Sequence, residues 1–329
     1  MADKIQVTII GLDLLGASAG MALRRHAERV VVVGHDRDPD LAANAKKLGA
    51  VEKTEWNLPA AVSGADRVIL AVPLDEMKAT LSVIGDTLKP GCVILALSDV
   101  ITPVIAWGRE LMPSHVHLVS GHPIVIADLA NAAQASADLF KDRQFALAPD
   151  VTTDETAVQL ATDLVTAMDA RPYFVDAYEH DAFTAATEQA GSILAAALMA
   201  ATSKDDNWHD VRKLAAGQYY SSGLIMPATG SAAATACVAN RDAVLRWLDA
   251  ITAELGALRR SVADSDEERL AARFEAAMSA REGWLGAYNS GRWEQELPGP
   301  EMPTTGSMLK GMLGFGRTKH TPPAEPGRR

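Results

Sequence analysis

A chain of 329 residues is long enough for two domains that each bury a core. Hydrophobic residues make up 48% and charged residues 22%, as in ordinary globular enzymes, and no apolar run reaches the roughly 18 residues of a membrane span. The net charge of −11 disfavours nucleic acid and acidic membranes as partners, because both attract clustered lysine and arginine. With two cysteines and no apolar leader, the sequence predicts a cytoplasmic protein with free thiols.

The first half of the chain alternates short apolar strands with helical segments. Such alternation is typical of βαβ units, so we expect an α/β domain with a parallel sheet of Rossmann type. One further strand is predicted near residues 172–175. The other predicted strands are residues 5–10, 29–34, 66–72, 91–97, 115–120 and 144–148, and the helices among the early ones are 14–26, 39–48 and 74–84.

After Asp154 the sequence is rich in alanine and follows a helical period. Long helices are predicted at residues 182–202, 232–261 and 264–282, with apolar side chains on more than one face. We expect these helices to form a homodimer interface, with a self-contained bundle as the alternative. From residue 290 proline and glycine predict a disordered tail. The predicted domains are 1–153 for the sheet, 154–289 for the helices and 290–329 for the tail.

A glycine-containing turn follows the first predicted strand and opens a helix. Gly11 permits a tight turn and Gly16 permits close approach of helix and strand, with Leu14 and Leu15 between them. This context is typical of a dinucleotide site, where backbone amides at a helix N-terminus bind the diphosphate. Asp13, however, occupies the middle position of the usual G-x-G-x-x-G pattern. Its carboxylate either points away from the cofactor, or the site has lost cofactor binding.

Three further positions extend the predicted cofactor site. Asp36 ends the second strand, where a carboxylate accepts hydrogen bonds from the adenosine ribose, which favours NAD over NADP. Arg37 leaves NADP as the alternative, because a guanidinium can bind the 2′-phosphate. Val72 and Pro73 end the third strand, where the nicotinamide ribose would lie. Pro73 can also be a plain strand terminator.

Several segments together resemble the prephenate/arogenate dehydrogenase family, of which the chain would be a divergent member. The resemblance implies an all-α dimerisation domain, like the C-terminal domain of 6-phosphogluconate dehydrogenase, after the Rossmann domain. It also implies oxidative decarboxylation of a cyclohexadienol with NAD(P)⁺ in tyrosine biosynthesis. The segments are GHDRDPD at 34–40, VILAVPLDEM at 68–77, SDV at 98–100, SGHPI at 120–124, ADLFKDRQFALAP at 137–149, EHDAF at 179–183 and NRDAVLRWLDAITAEL at 240–255.

The resemblance assigns roles to a histidine and a threonine. His122 matches the catalytic histidine, and a neutral imidazole suits acceptance of a hydroxyl proton; a purely structural histidine is the alternative. Thr102 falls where the family has a serine, so its hydroxyl is expected to donate to substrate or to His122, or else to cap a helix before Pro103. Asp181, in the EHDAF segment, is expected to be a charge favoured at the start of a helix.

The predicted substrate pocket departs from the family pattern. Gln189 and Ser192 fall close to the sequence positions where the family has its pocket histidines, and they are predicted to bind substrate. Glu188 suits an amine and hence an arogenate-like substrate. The family's carboxylate-binding arginine is absent, because no arginine occurs between Arg212 and Arg241. A related dehydrogenase for another small acid and a non-catalytic dinucleotide-binding homologue remain alternatives. No metal site is predicted.

Overall fold

The computed structural model describes residues 4–126, 134–226 and 229–291, and the described strands form one sheet. The strands are β1 Ile5–Ile10, β2 Val30–His35, β3 Lys53–Thr54, β4 Arg67–Leu70, β5 Val93–Leu97, β6 His117–Pro123, β7 Gln144–Pro149 and β8 Arg171–Phe174. Their order across the sheet is β3-β2-β1-β4-β5-β6-β7-β8. The chain therefore starts in the middle of the sheet and crosses over beside β1, as in dinucleotide-binding folds.

The sheet is parallel, as predicted, except at one pair of strands. β6 and β7 are antiparallel, with His122 opposite Ala146, whereas β7 and β8 are again parallel to each other. Sheets that are otherwise parallel often carry such an antiparallel pair towards one side. The carboxyl ends of β1, β2, β4, β5 and β6 consequently share one edge of the sheet.

Helices connect the strands and form most of the described chain after β8. They are α1 Leu14–Leu23, α2 Pro39–Lys47, α3 Leu58–Val62, α4 Leu74–Ile84, α5 Thr102–Leu111, α6 Glu155–Ala167, α7 Ala177–Thr184, α8 Ala190–Ser203, α9 Trp208–Leu214, α10 Gly217–Gly223, α11 Gly230–Ala239, α12 Arg241–Ala263 and α13 Glu267–Ser290. The chain divides into two compact units, one up to Thr252 and one from Ala253. No helix among the described residues is both long and apolar enough to cross a membrane.

Both faces of the sheet are buried, because successive strand residues point to opposite sides. On one face Ile9 and Leu95 pack in a cluster with Ala17 of α1 and Leu164 of α6. On the other face Ile10 and its neighbours pack with side chains of α4 and α5. Burial on both sides explains why these strands are continuous apolar runs in the sequence rather than alternating ones.

The structure differs from the predicted elements at the domain boundary and within one long helix. β8 pairs with β7 although it lies beyond the predicted domain boundary at residues 153 and 154, so the sheet reaches Phe174. The helix predicted over 232–261 is two helices, α11 and α12, which are separated at Asn240. The Asn240 side chain is buried and forms hydrogen bonds at this break. The predicted tail lies outside the described residues from 292 onward.

Candidate active site

The glycine turn has the backbone that a dinucleotide site requires. Gly11 has a φ of 88°, which side chains other than that of glycine rarely tolerate, and a Cβ there would collide with the Ala71 carbonyl at the end of β4. A Cβ on Gly16 would collide with the Gly11 carbonyl. The two glycines thus bring β1, α1 and β4 into close contact and shape a cradle at the carboxyl edge of the sheet.

Asp13 caps α1 from within this cradle. One carboxylate oxygen of Asp13 accepts hydrogen bonds from the backbone N–H groups of Leu15 at 3.1 Å and Gly16 at 3.4 Å. Burial raises the pKa of Asp13, the two N–H bonds lower it, and the nearby Asp36 charge raises it. The Asp13 side chain therefore turns towards the N-terminus of α1. Its carboxylate occupies amides that a diphosphate would use.

Asp36 ties the end of β2 to the glycine turn. Its two carboxylate oxygens accept from the Leu12 N–H at 2.6 Å and the Asp38 N–H at 2.8 Å. Arg37 forms an ion pair with Glu76 in the first turn of α4 at 2.7 Å. The structure thus brings the predicted ribose-binding acid beside the predicted diphosphate cradle.

The remaining predicted cofactor residues lie at the same edge. Leu14 opens α1 and is buried, and Leu15 follows it with its N–H directed to Asp13. Val72 follows β4, and Pro73 immediately precedes α4. All eight predicted cofactor positions therefore lie on the loops that follow β1, β2 and β4 or in the first turn of α1.

Two histidines and an aspartate form a continuous hydrogen-bonded chain at the carboxyl end of β6. Nδ1 of His122 lies 3.1 Å from Nε2 of His180, and the two rings meet edge to face at 83°. Nδ1 of His180 lies 3.0 Å from Oδ1 of Asp181. His180 and Asp181 are both 5% exposed. This His122–His180–Asp181 chain links the sheet to α7.

The chain has a defined direction. A carboxylate only accepts, so Nδ1 of His180 donates to Asp181, and in this tautomer Nε2 of the same ring accepts. Nδ1 of His122 is therefore the donor to His180, which makes Nε2 the basic position of the His122 ring. Burial, reinforced by the neighbouring His180, lowers the pKa of His122 to about 3. His122 is accordingly neutral at physiological pH.

Asp181 also anchors the start of α5. Its two carboxylate oxygens accept from the backbone N–H groups of Ile101 at 2.7 Å and Thr102 at 2.8 Å. The prediction that Asp181 is a charge at the start of its own helix is wrong, because it lies in the second turn of α7 and serves α5 instead. Thr102 begins α5 and is not its cap, and its hydroxyl donates to the Ala177 carbonyl at 3.4 Å.

A π-helical turn over Ala185–Gln189 presents the next group of side chains. Gln189 is buried and donates to Asp99 at 2.9 Å, while its own carbonyl accepts from Asn240 at 3.3 Å. Asn240 also donates to the Asp181 carbonyl at 2.6 Å. Turns of this kind often mark functional sites, since the extra residue redirects side chains. Ser192 lies further along α8, and its hydroxyl donates to the Ile225 carbonyl rather than to this network.

Two acids, Asp99 and Glu188, interact electrostatically with His180. This pair of acids is called the acidic pocket. Burial raises the pKa of Asp99, the Gln189 bond lowers it and the Asp181 charge raises it. Desolvation and the Asp99 charge likewise raise the pKa of Glu188, although the Glu188 side chain keeps contact with solvent. Acids whose charges repel one another in this way are stabilised when a cation binds between them.

Sequence reasoning did not assign roles to three of these residues. His180, Asp99 and Asn240 all lie in segments that resemble the family, but their spacing along the chain does not reveal that they meet. Of the three, His180 gives the clearest signal in the sequence, because a histidine followed by an aspartate is a common way to orient an imidazole. The contacts themselves join residues 58 to 90 positions apart.

A parallel sheet with a glycine turn after β1, an acid after β2 and a neutral histidine at the carboxyl end of β6 defines a dehydrogenase of the nucleotide-binding class. Residues 19–174 match the family model for the nucleotide-binding domain of prephenate dehydrogenase, and residues 176–276 match that for its dimerization domain. The chain belongs to the prephenate dehydrogenase family.

Individual relatives agree with this assignment. The prephenate dehydrogenase of Bacillus subtilis (strain 168) is 25% identical over 85% of this chain and 76% of its own length. The cyclohexadienyl dehydrogenase of Zymomonas mobilis is 27% identical over 84% of this chain and 94% of its own length. A solved prephenate dehydrogenase from A. aeolicus, in complex with hydroxyphenyl propionate and NAD⁺, is 17% identical and has a TM-score of 0.75, covering 85% of this chain and 98% of its own. The predicted family and fold class are confirmed.

Proposed function

We propose that this protein is an NAD-dependent dehydrogenase that oxidises a cyclohexadienol of the prephenate/arogenate type. The observation that carries the proposal is the His122–His180–Asp181 chain, which holds a neutral imidazole at the carboxyl edge of a nucleotide-binding sheet. Relatives named prephenate and cyclohexadienyl dehydrogenases, and the NAD⁺ complex of the A. aeolicus enzyme, support the choice of reaction and cofactor.

The residues of the glycine turn fit NAD, with one local conflict. Gly11 and Gly16 permit the tight turn that would direct the amides at the start of α1 towards a diphosphate. Asp36 would bind the ribose hydroxyls, and its charge would repel a 2′-phosphate. Leu14, Leu15, Val72 and Pro73 would line the cofactor, as predicted from the sequence. Asp13 must release the two amides that it occupies before they can bind the diphosphate.

The reaction asks little of the protein beyond orientation and one proton transfer. When bound, the nicotinamide ring supplies the hydride acceptor. Nε2 of His122 takes the hydroxyl proton of the substrate while the carbon that carries this hydroxyl gives up a hydride. The ring carboxylate leaves as CO₂, its bonding electrons make the ring aromatic, and the resulting phenolate oxygen takes the proton back from His122. His180 and Asp181 are positioning residues, because they keep the lone pair of His122 on Nε2. The Thr102 hydroxyl would donate a hydrogen bond to the substrate or to His122, as the resemblance implies.

The acidic pocket favours arogenate, which carries an ammonium group, over the diacid prephenate. Asp99 and Glu188 both have raised pKa values, and an ammonium placed between them would relieve their repulsion. Gln189, fixed between Asp99 and Asn240, would orient the same end of the substrate. Ser192 stays a predicted substrate contact at the edge of this pocket.

The protein would act as a cytoplasmic homodimer. The match of residues 176–276 to a dimerization domain supports dimerisation through the helical region, and Leu194 and Leu198 of α8 are 38% and 41% exposed in the single chain. Cys92 and Cys237 are free thiols, as a reducing compartment would keep them. The first domain would end after β8, near residue 174, because that strand completes the sheet.

Replacement of His122 tests the proposed function. In His122→Asn we expect kcat with NAD⁺ to fall about 10²- to 10⁴-fold while NADH still binds, because only the proton acceptor is lost. His117→Asn is the matched control, since His117 starts the same strand outside the His122–His180–Asp181 chain. An unchanged rate in His122→Asn would remove this histidine from the reaction. No activity of the wild-type protein with either arogenate or prephenate would refute the proposal.

A further inference from the structure

The ion pair between Arg37 and Glu76 spans the adenosine side of the proposed cofactor site. Arg37 follows Asp36 at the end of β2, and Glu76 lies in the first turn of α4 after β4. β2 and β4 flank β1 on its two sides, so this pair bridges the loops on either side of the glycine turn. The N–O distance is 2.7 Å, and the Arg37 and Glu76 side chains are 78% and 26% exposed.

The sequence at the end of β2 carries conflicting signals for cofactor choice. An acid at this position binds the ribose hydroxyls of NAD, whereas an arginine nearby accommodates the 2′-phosphate of NADP. Asp36 cannot readily swing aside, because both carboxylate oxygens accept from backbone N–H groups. Arg37 has no such backbone tether among the described contacts, so its position depends on the partner that holds its charge.

We infer that Glu76 is a cofactor-specificity residue, which holds Arg37 against α4 and keeps its charge from a 2′-phosphate. The inference rests on the proposed function, because it requires a dinucleotide at this edge. A 2′-phosphate would have to compete with the Glu76 carboxylate for the same guanidinium while it is repelled by Asp36 and Glu76 together. NAD, which has only hydroxyls there, leaves the ion pair intact.

The test removes the Glu76 charge and compares two cofactors on the full-length protein. Glu76→Gln is expected to lower the ratio of the NADPH Kd to the NADH Kd about 3- to 10-fold, in the range of partly exposed charge pairs. Asp75→Asn is the matched control, because it removes the same charge from the neighbouring, exposed position of α4. Adding Arg37→Ala to Glu76→Gln should remove most of the gain, since the released guanidinium supplies it and only the lost repulsion by Glu76 remains.

The outcomes separate the inference from the function on which it rests. An unchanged cofactor ratio in Glu76→Gln, or an equal change in Asp75→Asn, would overturn the specificity role while leaving NADH binding and the dehydrogenase assignment in place. A gain that persists undiminished without Arg37 would overturn it as well. If the wild-type protein binds neither NADH nor NADPH, the proposed function fails and the inference fails with it.

Discussion

His180 is the residue through which the proposed mechanism can be tested most sharply. Its ring receives the Nδ1 proton of His122 at 3.1 Å and donates to Asp181 at 3.0 Å, so His180→Ala breaks both contacts at once. Without an acceptor at Nδ1, the His122 ring is no longer held in the form that has its lone pair on Nε2. The reacting group itself is still present, which distinguishes this variant from a change at His122.

The size of each effect follows from these contacts. A buried polar group left without a partner costs about 1–3 kcal/mol, and two groups lose their partner here. Asp181 keeps its bonds from Ile101 and Thr102, so we expect the free energy of unfolding to fall by about 2–4 kcal/mol. Loss of the oriented base should lower kcat about 10²-fold or more, whereas KM and NADH affinity should change much less.

Steady-state kinetics and thermal unfolding of matched variants separate orientation from stability. His180→Gln should recover kcat to within about 10-fold of the wild type, because an amide can accept from His122 and donate to Asp181. His26→Ala is the control for loss of a histidine hydrogen bond elsewhere, since His26 contacts only the Ala167 carbonyl among the described contacts. If His180→Ala keeps its kcat and loses only stability, as His26→Ala should, the orienting role of His180 is refuted.

Three further predictions concern the cofactor cradle and pH. Asp13→Gly should tighten NADH binding about 3- to 10-fold, because the competing charge is lost while glycine costs a helix cap only a few tenths of a kcal/mol; Asp154→Gly, which removes the same kind of cap from α6, should leave the Kd unchanged in a fluorescence titration. Gly11→Ala should abolish NADH binding and lower the Tm, since its φ of 88° and the Ala71 carbonyl exclude a side chain; normal binding would contradict this geometry. The pKa of His122 is held at about 3 in the folded protein, below the unfolded value of 6.5, so the free energy of unfolding should decrease as pH falls from 6.5 towards 3. For the same reason kcat/KM should show no inflection near pH 6.5. An inflection there that is lost in His122→Asn would show that the folded protein protonates His122 normally.

The sequence was sufficient for the sheet, its main strands and the glycine turn, because local apolar runs and backbone constraints determine these features. β3 escaped prediction since its two residues, Lys53–Thr54, leave no pattern to detect. The π-helical turn over Ala185–Gln189 was also invisible, because one extra residue within a helix does not disturb an alanine-rich period. The break at Asn240 depends on partners some 50 to 60 residues away.

The same reasoning explains the uneven outcome at the candidate site. The predicted cofactor positions all lie near the carboxyl ends of β1, β2 and β4, because the ends of these strands are visible in the sequence. The roles of His180 and Asp99 could not be predicted, since they arise only when α7 packs against the loop after β5. Asp13 is visible in the sequence as an exception to the glycine pattern. Only the structure reveals that its carboxylate caps α1.

Asp181 joins two parts of the molecule that a local fluctuation would otherwise separate. The amide protons of Ile101 and Thr102 both point into this one carboxylate, whose other contact orients the histidine pair. Any opening that detaches α7 exposes these two amides to water at the moment the His122 ring loses its orientation. The rate at which these two amides exchange with deuterated solvent therefore reports how often α7 detaches and the histidine pair loses its orientation. The decrease in that rate with substrate bound measures how strongly the substrate stabilises the closed arrangement.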